Sequence, residues 1–212
     1  MGAKLFLKNS AGQSLKNSSG QFIYKSLPAA YQEVEYIASN GTPYLSTVTA
    51  ANKLFELDLQ FTSNGSRQLM GISGSSSAYW GNNQGTWEKV GINGANKTTL
   101  DRVTVYFDVG NITANKTNTW LKGATNKYEG SDNSYATASA NPFRVFNLAG
   151  SGYGCAMKLY GLKVYNASGS IINMLIPCYR KSDSVIGMYD LVNNQFYINA
   201  GTGAFTKGAD VD

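Results

Sequence analysis

The sequence predicts an all-β protein: one antiparallel β-sandwich behind a short N-terminal β-repeat arm. Three observations lead there. Apolar and polar residues alternate at period two in many short runs. No segment carries a 3.6-residue apolar period. Glycine-rich breaks recur between the runs, at 71–77, 81–85, 91–94 and 150–154. A chain of 212 residues can bury one substantial core.

Residues 1–26 form the arm and 27–212 the sandwich domain. In the arm, Leu7-Lys8-Asn9-Ser10-Ala11-Gly12-Gln13-Ser14 is followed at once by Leu15-Lys16-Asn17-Ser18-Ser19-Gly20-Gln21-Phe22, a near-exact repeat. Leu7, Leu15 and Ile23 share one phase, and each copy holds a tight-turn sequence. So short a β-meander cannot bury a core of its own, so it is expected to pack on its own domain, a sister chain or another protein. Strands are then expected at Gln32–Ile37, Phe55–Phe61, Arg102–Val109 and Phe143–Leu148. Phe55, Leu57, Leu59 and Phe61 should face the core. Met157–Tyr165 and Ser170–Ile176 read as longer strands around the turn Asn166-Ala167-Ser168-Gly169. Ile186–Leu191 and Gln195–Ile198 read as a closing hairpin. Strand order is not legible.

Composition narrows the function. Charged residues make up 15% and the net charge is +5. No basic run exceeds Arg180-Lys181, so nucleic-acid binding, which wants a clustered basic stripe, is not expected. The chain has no histidine, which argues against an ordinary zinc site and removes the Ser-His-Asp and Cys-His catalytic sets. No cofactor is expected; calcium stays open, although no loop has calcium-ligand spacing. Cys155 and Cys178 read as buried apolar thiols, with a disulfide as the alternative. Met1–Lys8 lacks the apolar run of a signal peptide, and no membrane insertion is expected.

Two motifs carry a resemblance. The first is Leu27-Pro28-Ala29-Ala30-Tyr31-Gln32-Glu33-Val34-Glu35-Tyr36-Ile37, continued by Ala38-Ser39-Asn40-Gly41-Thr42-Pro43-Tyr44-Leu45. The second is Ile176-Pro177-Cys178-Tyr179-Arg180, with Val185-Ile186-Gly187-Met188-Tyr189-Asp190 and Asn199-Ala200-Gly201-Thr202-Gly203. Together they resemble a module of tailed-phage and prophage virion proteins and of some gut-bacterial surface proteins, over residues 27–207. The resemblance implies a lectin-like sandwich of the concanavalin A type. It implies a virion protein, made in the bacterial host cytoplasm and displayed as a tail fibre or capsid decoration. Its expected partners are other virion proteins through residues 1–26, host-surface glycan and further copies of itself. The alternatives are a purely structural decoration protein and a bacterial cell-surface adhesin module.

Catalysis has one candidate. Sandwich glycosidases of the laminarinase and lichenase type carry Glu-x-Asp-x-Glu on one strand, so that all three acids share a face. Here the run is Glu56-Leu57-Asp58-Leu59-Gln60. A retaining mechanism needs two carboxyls about 5 Å apart, one of them exchanging a proton. Gln60 stands in the acid/base position and cannot do so, and no enzyme activity is expected. The ligand-like cluster is Tyr79, Trp80, Asn82, Asn83 and Trp87: aromatic faces for sugar C–H patches, with amides for hydroxyls. The competing reading packs these aromatics under a hairpin. Tyr128 and Tyr135 flank a second polar loop.

The arm reading is tested by truncation. Removing residues 1–26 should leave the sandwich folded but abolish incorporation into particles or oligomers. A truncated chain that assembles normally would contradict the assembly role.

Overall fold

The computed structural model describes residues 5–6, 16, 18–21, 24–65, 68–72, 79–109, 116–131, 141–147, 154 and 156–212. Among the described residues there is no helix, and every ladder between strands is antiparallel. In the arm, β1 (Leu5–Phe6) pairs with β2 (Tyr24–Lys25); the repeats between them lie largely outside the described residues. The domain continues with β3 (Tyr31–Glu33), β4 (Ile37–Asn40), β5 (Leu45–Thr49), β6 (Leu54–Phe61) and β7 (Gln68–Ile72). Next come β8 (Tyr79–Asn83), β9 (Thr86–Glu88), β10 (Val103–Asp108), β11 (Lys116–Leu121), β12 (Tyr128–Ser131) and β13 (Pro142–Val145). The chain closes with β14 (Ala156–Tyr165), β15 (Ile171–Arg180), β16 (Ile186–Asp190), β17 (Gln195–Ile198) and β18 (Thr206–Lys207).

The large sheet runs β12-β11-β10-β6-β14-β15-β16-β17, and the small one β5-β13-β7-β8-β9. Both feed one core, consistent with a β-sandwich. The expected inward set of β6, Phe55, Leu57, Leu59 and Phe61, is buried, with Val103, Val105 and Phe107 beside it. Phe55 of the large sheet stacks on Phe143 of the small one at 4.1 Å between centroids.

β14 keeps its inward face only by breaking register. Met157 and Leu159 point inward, then Leu162 and Val164, because a bulge between Leu159 and Gly161 inserts one residue opposite β6. β15 is buried on both faces. Leu175 joins the main core, whereas Met174, Ile176 and Cys178 form a second cluster with Tyr189 and Leu191. Leu27, Tyr31 and Phe196 pack against that cluster, Tyr31 lying 4.8 Å from the Tyr189 ring. Cys178 is a free thiol, and burial pushes it up to about 12. Cys155 lies outside the described residues.

β14 and β15 pair from Leu162↔Leu175 to Tyr165↔Ile171 and then part. β4 fills the fork beside β14 and β3 fills it beside β15. The single strand expected at 32–37 is therefore split, because the chain crosses from one arm of the fork to the other. The strand expected to end at Ile176 runs on to Arg180, through Pro177. The Pro177 carbonyl accepts from Val34 N, between β3 and β4. A residue's N–H and C=O leave a strand on the same side. The missing donor thus faces this break, and the ladder to β16 loses nothing.

Asp190 closes β16 as a fully buried carboxylate. Its Oδ1 accepts from Met174 N at 3.0 Å and Val192 N at 2.9 Å. Its Oδ2 accepts from Asn173 Nδ2 at 2.6 Å and Asn193 Nδ2 at 2.7 Å. Two main-chain and two amide donors thus solvate the charge and clamp the 191–194 turn onto β15. Asp190→Ala would orphan these donors, and it is expected to cost about 3 kcal/mol or more of folding stability. Denaturant titration measures this; a loss within experimental error would refute the clamp.

Candidate functional site

The cluster expected from sequence folds as the β8–β9 hairpin, with Gln84 and Gly85 at its turn. Asn82 sits opposite Trp87, and Trp80 is two residues along the same face. That face is the core side. Trp80 is 0% exposed, and Trp87 is 9% exposed with its ring 5.6 Å from Phe61. Asn82 is buried, donating to Ser63 O at 2.9 Å and accepting from Gly85 N at 2.9 Å. These three are therefore core and turn residues rather than a ligand-facing loop, because a two-residue period gives all three the same side. Asn83, half-buried, lines a shallow 390 Å³ hollow with Gln84, Thr86, Trp87 and Glu88. Tyr79 lies opposite Gly71, and its side chain is outside the described residues. Tyr128 is exposed at the start of β12, and Tyr135 is not among the described residues.

The outer face of the large sheet carries a denser arrangement. The same alternation that buries Val105 and Phe107 turns Tyr106 outward, and Trp120 is its direct partner on β11. The two rings stack at 5.3 Å, and Lys127 Nζ lies 3.9 Å from the centre of the Trp120 ring. On its other side Tyr106 faces Glu56, and Glu56 faces Lys163. Glu56 accepts from Lys163 Nζ at 2.9 Å and from the Tyr165 hydroxyl at 2.7 Å.

Farther along β6, Asp58 accepts two bonds from Arg102, at 2.9 and 2.6 Å. The Arg102 guanidinium lies 3.7 Å from the centre of the Tyr160 ring. Tyr160 is the residue that the bulge inserts, and its hydroxyl donates to Gln60 Oε1 at 3.0 Å. Two hollows open on this face. One of 550 Å³ lies at the end of β6, lined by Lys53, Asp108, Tyr165 and Asn166 among others. One of 280 Å³ lies over Glu56, Asp58, Tyr160 and Lys163.

The electrostatics follow from the pairing. Burial would push the Glu56 carboxyl up, but hydrogen bonds from Lys163 and Tyr165 and the charges of Lys163 and Lys122 outweigh it. The net effect holds Glu56 below its usual range. Burial, and then donation to Glu56, pushes the Tyr165 phenol far up. Arg102 is raised by its bond to Asp58. Glu56, Asp58 and Gln60 do share one face, as their alternation requires, but each is engaged. Gln60 also donates to Leu100 O at 3.0 Å. The acid/base position of the motif is held by the amide of Gln60, which has no proton to exchange.

What this face offers is aromatic rings bordered by held polar groups. Tyr106, Trp120, Tyr160 and Tyr165 were not singled out from sequence. The available signal was their outward phase between buried neighbours, but which strands lie side by side is not written in any one of them. Among the described residues no group of three or more His, Cys, Asp or Glu side chains could hold a metal ion. Comparison with family models, curated proteins and solved structures finds no match to this chain.

Glu56 yields a pH prediction. A carboxyl lowered by folding adds stability that is present above its unfolded pKa and lost as pH falls through the folded value. Glu56→Gln should therefore be less stable than the parent at neutral pH, with the gap closing as pH falls through the acid range. Denaturation midpoints across pH measure this, and a gap independent of pH would contradict it.

Proposed function

We propose that this protein is a non-enzymatic carbohydrate-binding module of a phage virion, a lectin-like sandwich of the concanavalin A type that attaches to host-surface glycan. The observation that carries the binding reading is the stacked Tyr106–Trp120 pair on an outward sheet face, with Lys127 against it. Flat rings take up the C–H faces of sugars, while held polar groups and adjoining hollows meet hydroxyls. The non-catalytic reading is supported by the engagement of Glu56 and Asp58 with cations and by the amide at Gln60. The virion assignment rests on the paired motifs at 27–45 and 176–203, with the arm as the joint to the particle. The burial of Trp80 and Trp87 favours a second reading, a decoration protein without glycan affinity.

A glycan array with the full chain, followed by titration of the best hit, separates the two. Trp120→Ala is expected to weaken binding by about 1–3 kcal/mol while leaving the fold intact, as for a half-exposed contact ring. A blank array at high protein concentration would favour the decoration protein. Binding untouched by Trp120→Ala would move the site off this face.

A further inference from the structure

We infer that Asn93 is a site of spontaneous deamidation, and that its conversion loosens the Lys127–Trp120 end of the outer face. The chain has three Asn-Gly pairs: Asn40-Gly41, Asn64-Gly65 and Asn93-Gly94. Glycine puts no side chain in the way of its own main-chain nitrogen, which is the attacking atom. The structure separates the three. Gly41 N is buried and donates to Ser39 Oγ at 2.9 Å, and Asn40 Oδ1 accepts from Thr42 Oγ1 at 3.0 Å. Asn64 Oδ1 accepts from Thr99 Oγ1 at 3.0 Å, and its amide lies against Gly85.

Asn93 and Gly94 are both exposed, at the corner of a turn closed by Ala95 N donating to Ile92 O at 2.8 Å. Gly94 adopts φ +80°, as the third position of a type II turn requires. Among the described residues neither the Asn93 side-chain amide nor Gly94 N–H makes a hydrogen bond. Both reacting groups are therefore free and wet.

The chemistry needs only water. Gly94 N bonds to Asn93 Cγ as the Cγ–Nδ2 bond breaks, and ammonia leaves with the proton from Gly94 N. Water then opens the five-membered imide at either carbonyl, giving aspartate or isoaspartate. Isoaspartate lengthens the main chain by one methylene. Here the main chain is a brace: Asn93 N donates to Asn126 Oδ1 at 2.9 Å, and Asn93 O accepts from both Thr125 N and Thr125 Oγ1. The braced loop leads directly into Lys127, the cation on Trp120. The consequence for ligand binding rests on the function proposed above; the modification does not.

The test is to age the full chain in mildly alkaline buffer at physiological temperature and follow the three Asn-Gly peptides by mass spectrometry. The Asn93 peptide should exchange NH₂ for OH several-fold faster than the other two, and Asn93→Gln should abolish that change. Equal or faster conversion at Asn40 or Asn64, or an Asn93 peptide that converts only after denaturation, would overturn the inference. Aged protein should also bind the array hit more weakly than fresh protein. If affinity is unchanged by ageing but falls in Trp120→Ala, the loosening is wrong and the binding face stands. If Trp120→Ala binds normally as well, the binding face fails, and the modification is judged on the mass data alone.

Discussion

The parting of β14 from β15 is the constraint on which the rest of the structure depends. A sheet that forks exposes the inner edge of each arm, and unpaired main-chain groups at a buried edge are costly. Residues 31–40 and 206–211 meet that demand. β3 completes β15, β4 completes β14, and β18 pairs with β4, while Val34 bridges Asp210. Glu35 N donates to Ala209 O at 2.9 Å and Gly208 N to Tyr36 O at 3.0 Å, zipping the two segments together. The opening and closing motifs are thus parts of one assembly although most of the chain lies between them.

The same closure accounts for the small residues in the second motif. Asn199 Oδ1 accepts from Tyr44 N at 3.0 Å, and Ala200 N donates to Tyr44 O at 2.9 Å. A side chain on Gly201 would place its Cβ 2.6 Å from Thr42 O, so only glycine lets the two motifs approach this closely. The clamp at Asp190 acts on the other side of β15, fixing the turn that carries β17. With both ends tied, the central strands β6, β10 and β14 hold a steady inward face for the core, and their outward positions become a platform.

The bulge in β14 decides what that platform contains. Without the extra residue, either Met157 and Leu159 or Leu162 and Val164 would face solvent. With it, both pairs stay buried, and Tyr160 emerges beside Arg102 and Gln60. The aromatic character of the outer face is therefore partly a by-product of keeping β14 in register with the core. The pairing of Glu56 with Lys163 and Tyr165, and of Asp58 with Arg102, holds the polar residues between the rings.

Much was legible in the sequence because a strand reports its own two faces. The alternation in Phe55–Phe61 and Arg102–Val109 announces strands with one buried side, and those residues are buried on the expected side. The shared face of Glu56, Asp58 and Gln60 follows from the same period. Absent histidine and the amide at Gln60 constrain chemistry without any coordinates. Alternation cannot say which face of a hairpin meets the core when both carry aromatics and amides. Trp80, Asn82 and Trp87 read as a ligand loop for that reason, yet all three face inward, Trp87 against Phe61 and Asn82 bonded to Ser63 and Gly85. Nor does a local pattern name its neighbour: the Tyr106–Trp120 stack exists because β10 and β11 pair in one register. The fork, the bulge and the crossing of residues 31–40 between two strands are likewise long-range. They are set by which main-chain edges must be satisfied once the sheets close over a common core, and that was decided only in the tertiary structure.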